Sequence, residues 1–150
     1  FNINPPIPRI LLAQVKRPDG AFVVDAISTD GGCIPRNVIL SQGLSLVKLD
    51  VLTLAEFAQK TSLNPARMLR LTAKGHLSVG ADADITIYDY ATQTPKMSFV
   101  EGRKVLFKGE VLGKNANIIC TERGQKAIEA RGLKAIVVDP GLPVDRVKAL

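Results

Sequence analysis

Apolar residues recur at helical spacing in the first third of the chain. Residues 9–17 place apolar side chains on one face and arginine, glutamine and lysine on the other, which predicts an amphipathic helix. Residues 1–8 contain three prolines, which restrict their neighbours to extended conformations and predict an extended segment instead of a helix. Residues 36–49 predict a second helix that is irregular near Gly43.

The next helical segment begins with a capping box. Thr53 and Glu56 have the spacing at which two side chains satisfy the free backbone amides of a helix start. Asn64 stands before Pro65, which predicts a second helix start, because proline in the first helical position loses no hydrogen bond. Two short helices are therefore predicted between residues 53 and 71.

Strand patterns of two kinds follow the turn signals. Residues 21–28 form a continuous apolar run, which is typical of a buried parallel strand. Residues 85–88 alternate apolar and polar positions, and residues 97–112 predict a β-meander with glycine turns. Residues 118–138 predict a strand, a helix capped by Thr121 and a second short strand.

Composition adds limits to this picture. The 150 residues, 46% of them hydrophobic, suffice for one core. No apolar run approaches the roughly 20 residues that cross a bilayer, and no signal peptide is visible, so we expect a cytoplasmic protein that does not bind membranes. The net charge of +6 comes from scattered residues without interleaved aromatics, which favours a solvated surface over nucleic-acid binding. Cys33 and Cys120 are too few for a disulfide framework or a zinc motif.

Three stretches carry a resemblance to a known family. SLNPARMLRL (residues 62–71) and KGHLSVGADADITIYD (residues 74–89) resemble the C-terminal signature of the amidohydrolase superfamily. This superfamily includes dihydroorotases, hydantoinases, D-aminoacylases and the amidohydrolase-like subunit of formylmethanofuran dehydrogenase. FVEGRKVLFKGEVL (residues 99–112) is similar to the ending of many members.

The resemblance implies an α/β fold: the C-terminal end of a (β/α)8 barrel, followed by part of a small β-sandwich domain with an αβ appendage. Residues 1–72 would hold the last strands and helices of a metal-dependent barrel hydrolase. Residues 73–113 would form the small β-domain, shared with an N-terminal part that is missing here. Residues 114–150 would form the appendage and tail, in which we find no candidate chemistry.

Asp30, at the end of the predicted strand, is the strongest candidate for catalysis. In relatives the last barrel strand ends in an aspartate that binds the metal, takes a proton from the metal-bound water and passes it to the leaving amine. By the same resemblance, Gly31 and Gly32 bring backbone close to the substrate, and Asn4 contacts it. On spacing alone Asp30 fits an Asp-Gly turn. The family order of motifs favours the catalytic interpretation.

The resemblance also shows what a complete enzyme requires. Relatives hold a divalent metal, most often zinc, with several histidines, whereas this chain has only His76, which lies in the turn before residues 85–88 and not on a barrel strand. The chain also begins with Phe1 instead of methionine. We therefore predict the C-terminal piece of a metal-dependent amidohydrolase that hydrolyses a C–N bond in a cyclic amide or N-acyl compound. Alone it is expected to bind no metal and to be inactive.

Two alternatives remain open from the sequence. The chain is a non-catalytic amidohydrolase-like β-domain, or a scaffold or assembly subunit, if its gene starts near Phe1. Alternatively, a homo-oligomer or a second chain completes the barrel. The apolar faces of residues 10–15 and 23–27 would then form the interface.

Overall fold

The structure is a computed structural model that describes residues 6–29, 37–114 and 117–138. The described residues form both helices and strands, and this mixed content fits the α/β class. The helical elements are α1 (Pro6–Gln14), α2 (Ile39–Lys48), α3 (Leu54–Ala58), a π-helical turn (Gln59–Leu63) and α4 (Asn64–Met68). The later elements are β1 (Ile85–Asp89), β2 (Thr94–Val100), β3 (Arg103–Phe107), β4 (Glu110–Val111), β5 (Asn117–Cys120), α5 (Glu122–Glu129) and β6 (Lys134–Val137).

The first four strands form an antiparallel sheet in the order β1-β2-β3-β4. Two-residue turns, residues 101–102 and 108–109, join β2 to β3 and β3 to β4. All four turn residues have φ between 49° and 90°. This left-handed backbone is typical of type I′ hairpins, whose twist matches that of the strands, and glycine adopts it without steric cost. The predicted meander is confirmed.

The strand–helix–strand prediction near the end of the chain is also confirmed. β5 and β6 pair in parallel, and α5 connects them. Thr121 precedes α5, but its side chain makes no capping hydrogen bond. An ion pair of 2.5 Å between Lys134 and Glu101 joins this unit to the meander.

The core lies among the helices. Leu44 is completely buried, and Leu52, Phe57 and Ala66 are nearly so. α2 runs without interruption through Gly43, so the predicted irregularity there is wrong. The glycine instead allows close helix packing, since an added Cβ would lie 2.2 Å from the Phe57 ring.

The predicted extended conformation of residues 6–8 is wrong, since α1 begins at Pro6. Prolines are tolerated there because the first-turn amides of a helix have no intrahelical partner to lose. α1 ends at Gln14, earlier than expected, because Lys16 and Phe22 then form an isolated antiparallel bridge. The Arg17 amide donates to the Ala21 carbonyl at 2.8 Å and closes this turn.

The predicted strand over residues 21–28 is also wrong, because beyond the bridge at Phe22 these residues form no strand. A parallel strand requires neighbouring strands for its backbone groups. In the part of the chain that the structure describes, this run instead bonds to a helix.

The predicted helix start at Asn64 is wrong as well. Asn64 has helical φ and ψ of −65° and −45°, and α3 continues through the π-helical turn into α4. The Asn64 amide donates to the Gln59 carbonyl, five residues back. This wider turn carries the helix past Pro65, which has no amide hydrogen to donate.

The capping box at the start of α3 is confirmed. The Glu56 amide donates to Thr53 Oγ1 at 3.2 Å, and the Thr53 amide donates to Glu56 Oε2 at 2.8 Å. Among the described ranges, no helix is both long and apolar enough to cross a membrane.

Candidate functional site

The structure describes the approach to the predicted catalytic aspartate. Asp30, Gly31, Gly32 and Asn4 themselves lie outside the described residues. The first described range ends at Thr29, immediately before Asp30. The candidate site is therefore described through residues 23–29, which we call the docked segment, and through the helix that holds them.

Three hydrogen bonds attach the docked segment to the helical run formed by α3, the π-helical turn and α4. The Lys60 ammonium donates to the Val24 carbonyl. The Asn64 side-chain amide donates to the Asp25 carbonyl at 2.7 Å. The Ile27 amide donates to the Lys60 carbonyl at 3.2 Å. These bonds fix the backbone at three of the seven residues of the docked segment.

The π-helical turn explains why the Lys60 carbonyl is available to Ile27. In an α-helix the Asn64 amide would donate to this carbonyl, but here it donates to Gln59 instead. The next amide along the chain would be that of position 65, where proline has none. The π-helical turn before Pro65 thus leaves the Lys60 carbonyl available to accept the hydrogen bond from the Ile27 amide.

Lys60 is fully buried, with 0% of its surface exposed. Its ammonium lies 3.9 Å from the centroid of the buried Phe22 ring, a favourable cation–π distance. Burial lowers the pKa of Lys60, and the charges of Asp25 and Glu56 oppose that shift. A buried ammonium is costly unless polar partners surround it, so this contact set accounts for its placement.

Sequence reasoning missed Lys60, although a signal was present. Phe57, Lys60, Thr61 and Asn64 follow the spacing i, i+3, i+4, i+7, which places them on one helix face. Phe57 shows that this face points inward. A lysine on that stripe requires a buried acceptor, and the docked segment supplies it.

The turn that contains His76 is a separate, locally bonded unit. His76 Nε2 donates to the Thr72 carbonyl at 2.8 Å, and the Ser78 amide donates to Nδ1 at 3.4 Å. Lys74 pairs with Asp82 at 2.8 Å and Asp84 at 2.6 Å. These hydrogen bonds raise the pKa of Lys74, and together they hold the turn that leads into β1.

Within residues 6–29, 37–114 and 117–138, no group of three or more His, Cys, Asp or Glu side chains could hold a metal ion. His76 uses both ring nitrogens inside its own turn. The described residues therefore do not fit a metal centre.

An open groove of about 510 Å³ lies over the strands. Its lining residues are Ser98, Val100, Val105, Leu106, Val111, Gly113 and Asn117. None of these side chains is titratable, and none belongs to the docked segment or its helix. The groove offers no acid–base chemistry.

Comparison with known proteins supports the superfamily resemblance. The model of the amidohydrolase family matches residues 42–112, from α2 through the end of the meander. Residues 42–112, a little under half of the chain, are similar to this family. The superfamily resemblance predicted from the sequence is thus confirmed, and the helix that holds the docked segment lies inside the matched region.

Two dihydroorotases are similar to this chain. That of Syntrophus aciditrophicus is 50% identical over 48 residues, which cover 32% of the chain and 11% of the relative. That of Methanothermobacter thermautotrophicus is 29% identical over 59% of the chain and 26% of the relative. The chain thus spans about a quarter or less of the length of these two relatives.

One solved structure is also similar to part of the chain. It is the formyltransferase/hydrolase complex from Methylorubrum extorquens in complex with methylofuran. The match has a TM-score of 0.40 and 29% sequence identity, and it covers 53% of this chain and 18% of the other.

Proposed function

We propose that the chain is the C-terminal part of an amidohydrolase that hydrolyses a C–N bond in a small cyclic amide or N-acyl compound. The observation that carries the proposal is the docked segment. Its backbone is held at residues 24, 25 and 27 by a helix of the family-matched region, and Asp30 lies three positions after Ile27. A catalytic carboxylate has to be held in position in this way.

Asp30 is proposed as the proton-transfer group. Water attacks the amide carbonyl carbon, the C–N bond breaks, and the carboxylate carries the water's proton to the leaving nitrogen. Gly31 and Gly32 are proposed to let the substrate approach the backbone, and Asn4 is proposed to contact the substrate. Since the described residues do not fit a metal centre, a divalent metal, zinc by the family resemblance, is proposed only for the full-length protein, with Asp30 as its ligand from this chain.

The proposed domain arrangement rests on the family resemblance. Residues 1–72 would complete a (β/α)8 barrel, residues 73–113 would form part of a small β-sandwich domain, and residues 114–150 would be an appendage. Because the remaining barrel would be supplied by other parts of the protein, the 150-residue chain is expected to be inactive by itself.

The test compares Asp30→Asn with wild type in the full-length protein. Turnover is measured with dihydroorotate, hydantoin and N-acyl amino acids, by chromatography of the ring-opened or deacylated product. Loss of a general acid–base group should lower kcat by about 10²- to 10⁴-fold, with an unchanged melting temperature. The matched control is Asp19→Asn, a turn aspartate whose carboxylate accepts a 2.9 Å hydrogen bond from the Ala21 amide.

Two outcomes would overturn the proposal. Near-normal turnover by Asp30→Asn would remove Asp30 from the mechanism. If the metal-loaded full-length protein hydrolyses none of these substrates, the non-catalytic alternative, a scaffold or assembly subunit, replaces hydrolysis.

A further inference from the structure

We propose that Lys60 is a positioning residue, whose buried ammonium fixes the backbone of the docked segment and thereby the Asp30 carboxylate that follows it. The inference rests on the proposed function of Asp30. It adds to the proposed site a residue, Lys60, that touches no reacting atom and acts through the backbone of the docked segment.

Lys60 contacts the docked segment through its side chain and through its backbone. Its ammonium donates to the carbonyl of residue 24, and its own carbonyl accepts from the amide of residue 27. Asn64, one turn further along the helix, holds the carbonyl of residue 25. One helix face therefore determines where the segment lies and in which direction it continues.

The docked segment ends immediately before the proposed reacting carboxylate. Asp30 lies three positions after Ile27, and three fully extended residues span at most about 10 Å. A shift of the backbone at residue 24 or 27 would therefore act close to Asp30. Displacing a reacting group by about 1 Å can cost on the order of 10²-fold in rate.

A second ammonium lies near that of Lys60. The Phe22 ring lies 3.9 Å from the Lys60 ammonium and 5.0 Å from that of Lys16, so both cations lie against one aromatic ring. Lys16 is ion-paired with Glu56 at 2.5 Å. The carboxylate thus offsets part of the positive charge, and Lys60 directs its hydrogen bond to Val24.

Complete burial distinguishes this role from a nucleophilic one. A lysine that attacks a substrate has to reach the substrate, whereas Lys60 has no exposed surface and points at a backbone carbonyl. Its chemistry is to donate a charge-assisted hydrogen bond, which is stronger than a neutral one.

The test uses Lys60→Met in the full-length protein, because methionine keeps the apolar stem and removes the charge and the donor. We expect kcat to fall by about 10- to 100-fold with a smaller change in KM. Amide hydrogen exchange of residues 24–29 should accelerate, which reports on the segment independently of activity.

Lys48→Met is the matched control. Lys48 also donates to a backbone carbonyl, that of Ala91 at 2.9 Å, and lies 5.5 Å from the Tyr90 ring, but it is exposed and does not contact the docked segment. This variant should keep wild-type kcat and wild-type exchange at residues 24–29. If Lys60→Met does not fold, Asn64→Ala removes a neighbouring bond to the same segment and replaces it in the test.

The outcomes separate this inference from the proposed function. If Asp30→Asn is inactive while Lys60→Met keeps wild-type kcat, or if exchange at residues 24–29 is unchanged, Lys60 is not a positioning residue. If Asp30→Asn retains turnover, the proposed function fails, and with it the role of Lys60 in catalysis. A fall in kcat together with faster exchange supports the inference.

Discussion

Replacing Glu56 with glutamine should weaken the protein in a pH-dependent way. Glu56 accepts hydrogen bonds from Lys16 Nζ at 2.5 Å and from the Thr53 amide at 2.8 Å. It therefore joins the start of α3 to the turn that the bridge between Lys16 and Phe22 closes. The hydrogen bond from Lys16, and next that from the Thr53 backbone, lower the pKa of Glu56 from 4.5 to about 2. Glutamine keeps the shape and acceptor of the capping box but removes the charge.

The size of the effect follows from this pKa. By linkage, a folded-state pKa of about 2 against 4.5 corresponds to roughly 3 kcal/mol of stability. This is an upper bound, because the Lys16 side chain is 44% exposed and water screens the pair. We therefore expect Glu56→Gln to lower the free energy of unfolding by about 1–2 kcal/mol at pH 7.

The sign of the pH dependence is fixed by the lowered pKa. A carboxylate whose folded pKa lies below its unfolded pKa stabilises the fold fully above pH 4.5, and this stability is lost as the pH falls towards about 2. The difference between wild type and Glu56→Gln should therefore shrink over this interval. Urea unfolding at pH 7, 4 and 2.5 measures it.

Glu110→Gln, on the exposed strand β4, serves as the control and should change stability little. Equal stability of wild type and Glu56→Gln at pH 7 would refute the reasoning. A difference that stays constant down to pH 2.5 would equally refute it, because the charge would then not be its source.

Two glycine substitutions test the close approaches in the helical part by thermal or urea unfolding. Gly43→Ala should lower the free energy of unfolding by about 1–2 kcal/mol, since overpacking against the Phe57 ring outweighs the better helix propensity of alanine. Adding Phe57→Leu to this variant should recover part of the loss. Strictly additive effects of the two substitutions would contradict the contact. Gly75→Ala should cost about 2–3 kcal/mol, because φ is +80° and the new Cβ would lie 2.5 Å from the Ser62 carbonyl oxygen. Gly109→Ala, with φ of +90° and open space around it, should cost about 1–2 kcal/mol, and equal losses at the two sites would argue against the close contact at Gly75.

Local patterns in the sequence determined much of the fold. The capping box at Thr53, the meander with its glycine turns and the strand–helix–strand unit each depend on residues close together in the chain. Capping residues, positive-φ turns and period-2 alternation express the preferences of a few neighbouring residues, so they can be recognised without knowing the rest of the fold. The superfamily was recognised in the same way, from contiguous motifs.

Tertiary structure decided the path of residues 21–28 and the roles of the residues that hold them. A continuous apolar run is compatible with a strand or with a segment docked on a helix. The choice depends on whether the backbone groups find another strand or, as here, Lys60 and Asn64. The predicted site residues Asp30, Gly31, Gly32 and Asn4 lie outside the described residues, so their roles stay predictions.

Asn64 shows why sequence alone could not make this decision. An asparagine before a proline satisfies the local rule for a helix start, yet its side chain bonds a carbonyl 39 residues earlier. Lys60 likewise is completely buried, and its acceptor, the Val24 carbonyl, lies 36 residues earlier in the chain. Whether a polar side chain caps its own helix, meets water or binds a distant backbone depends on what packs against it, and only the folded chain determines that.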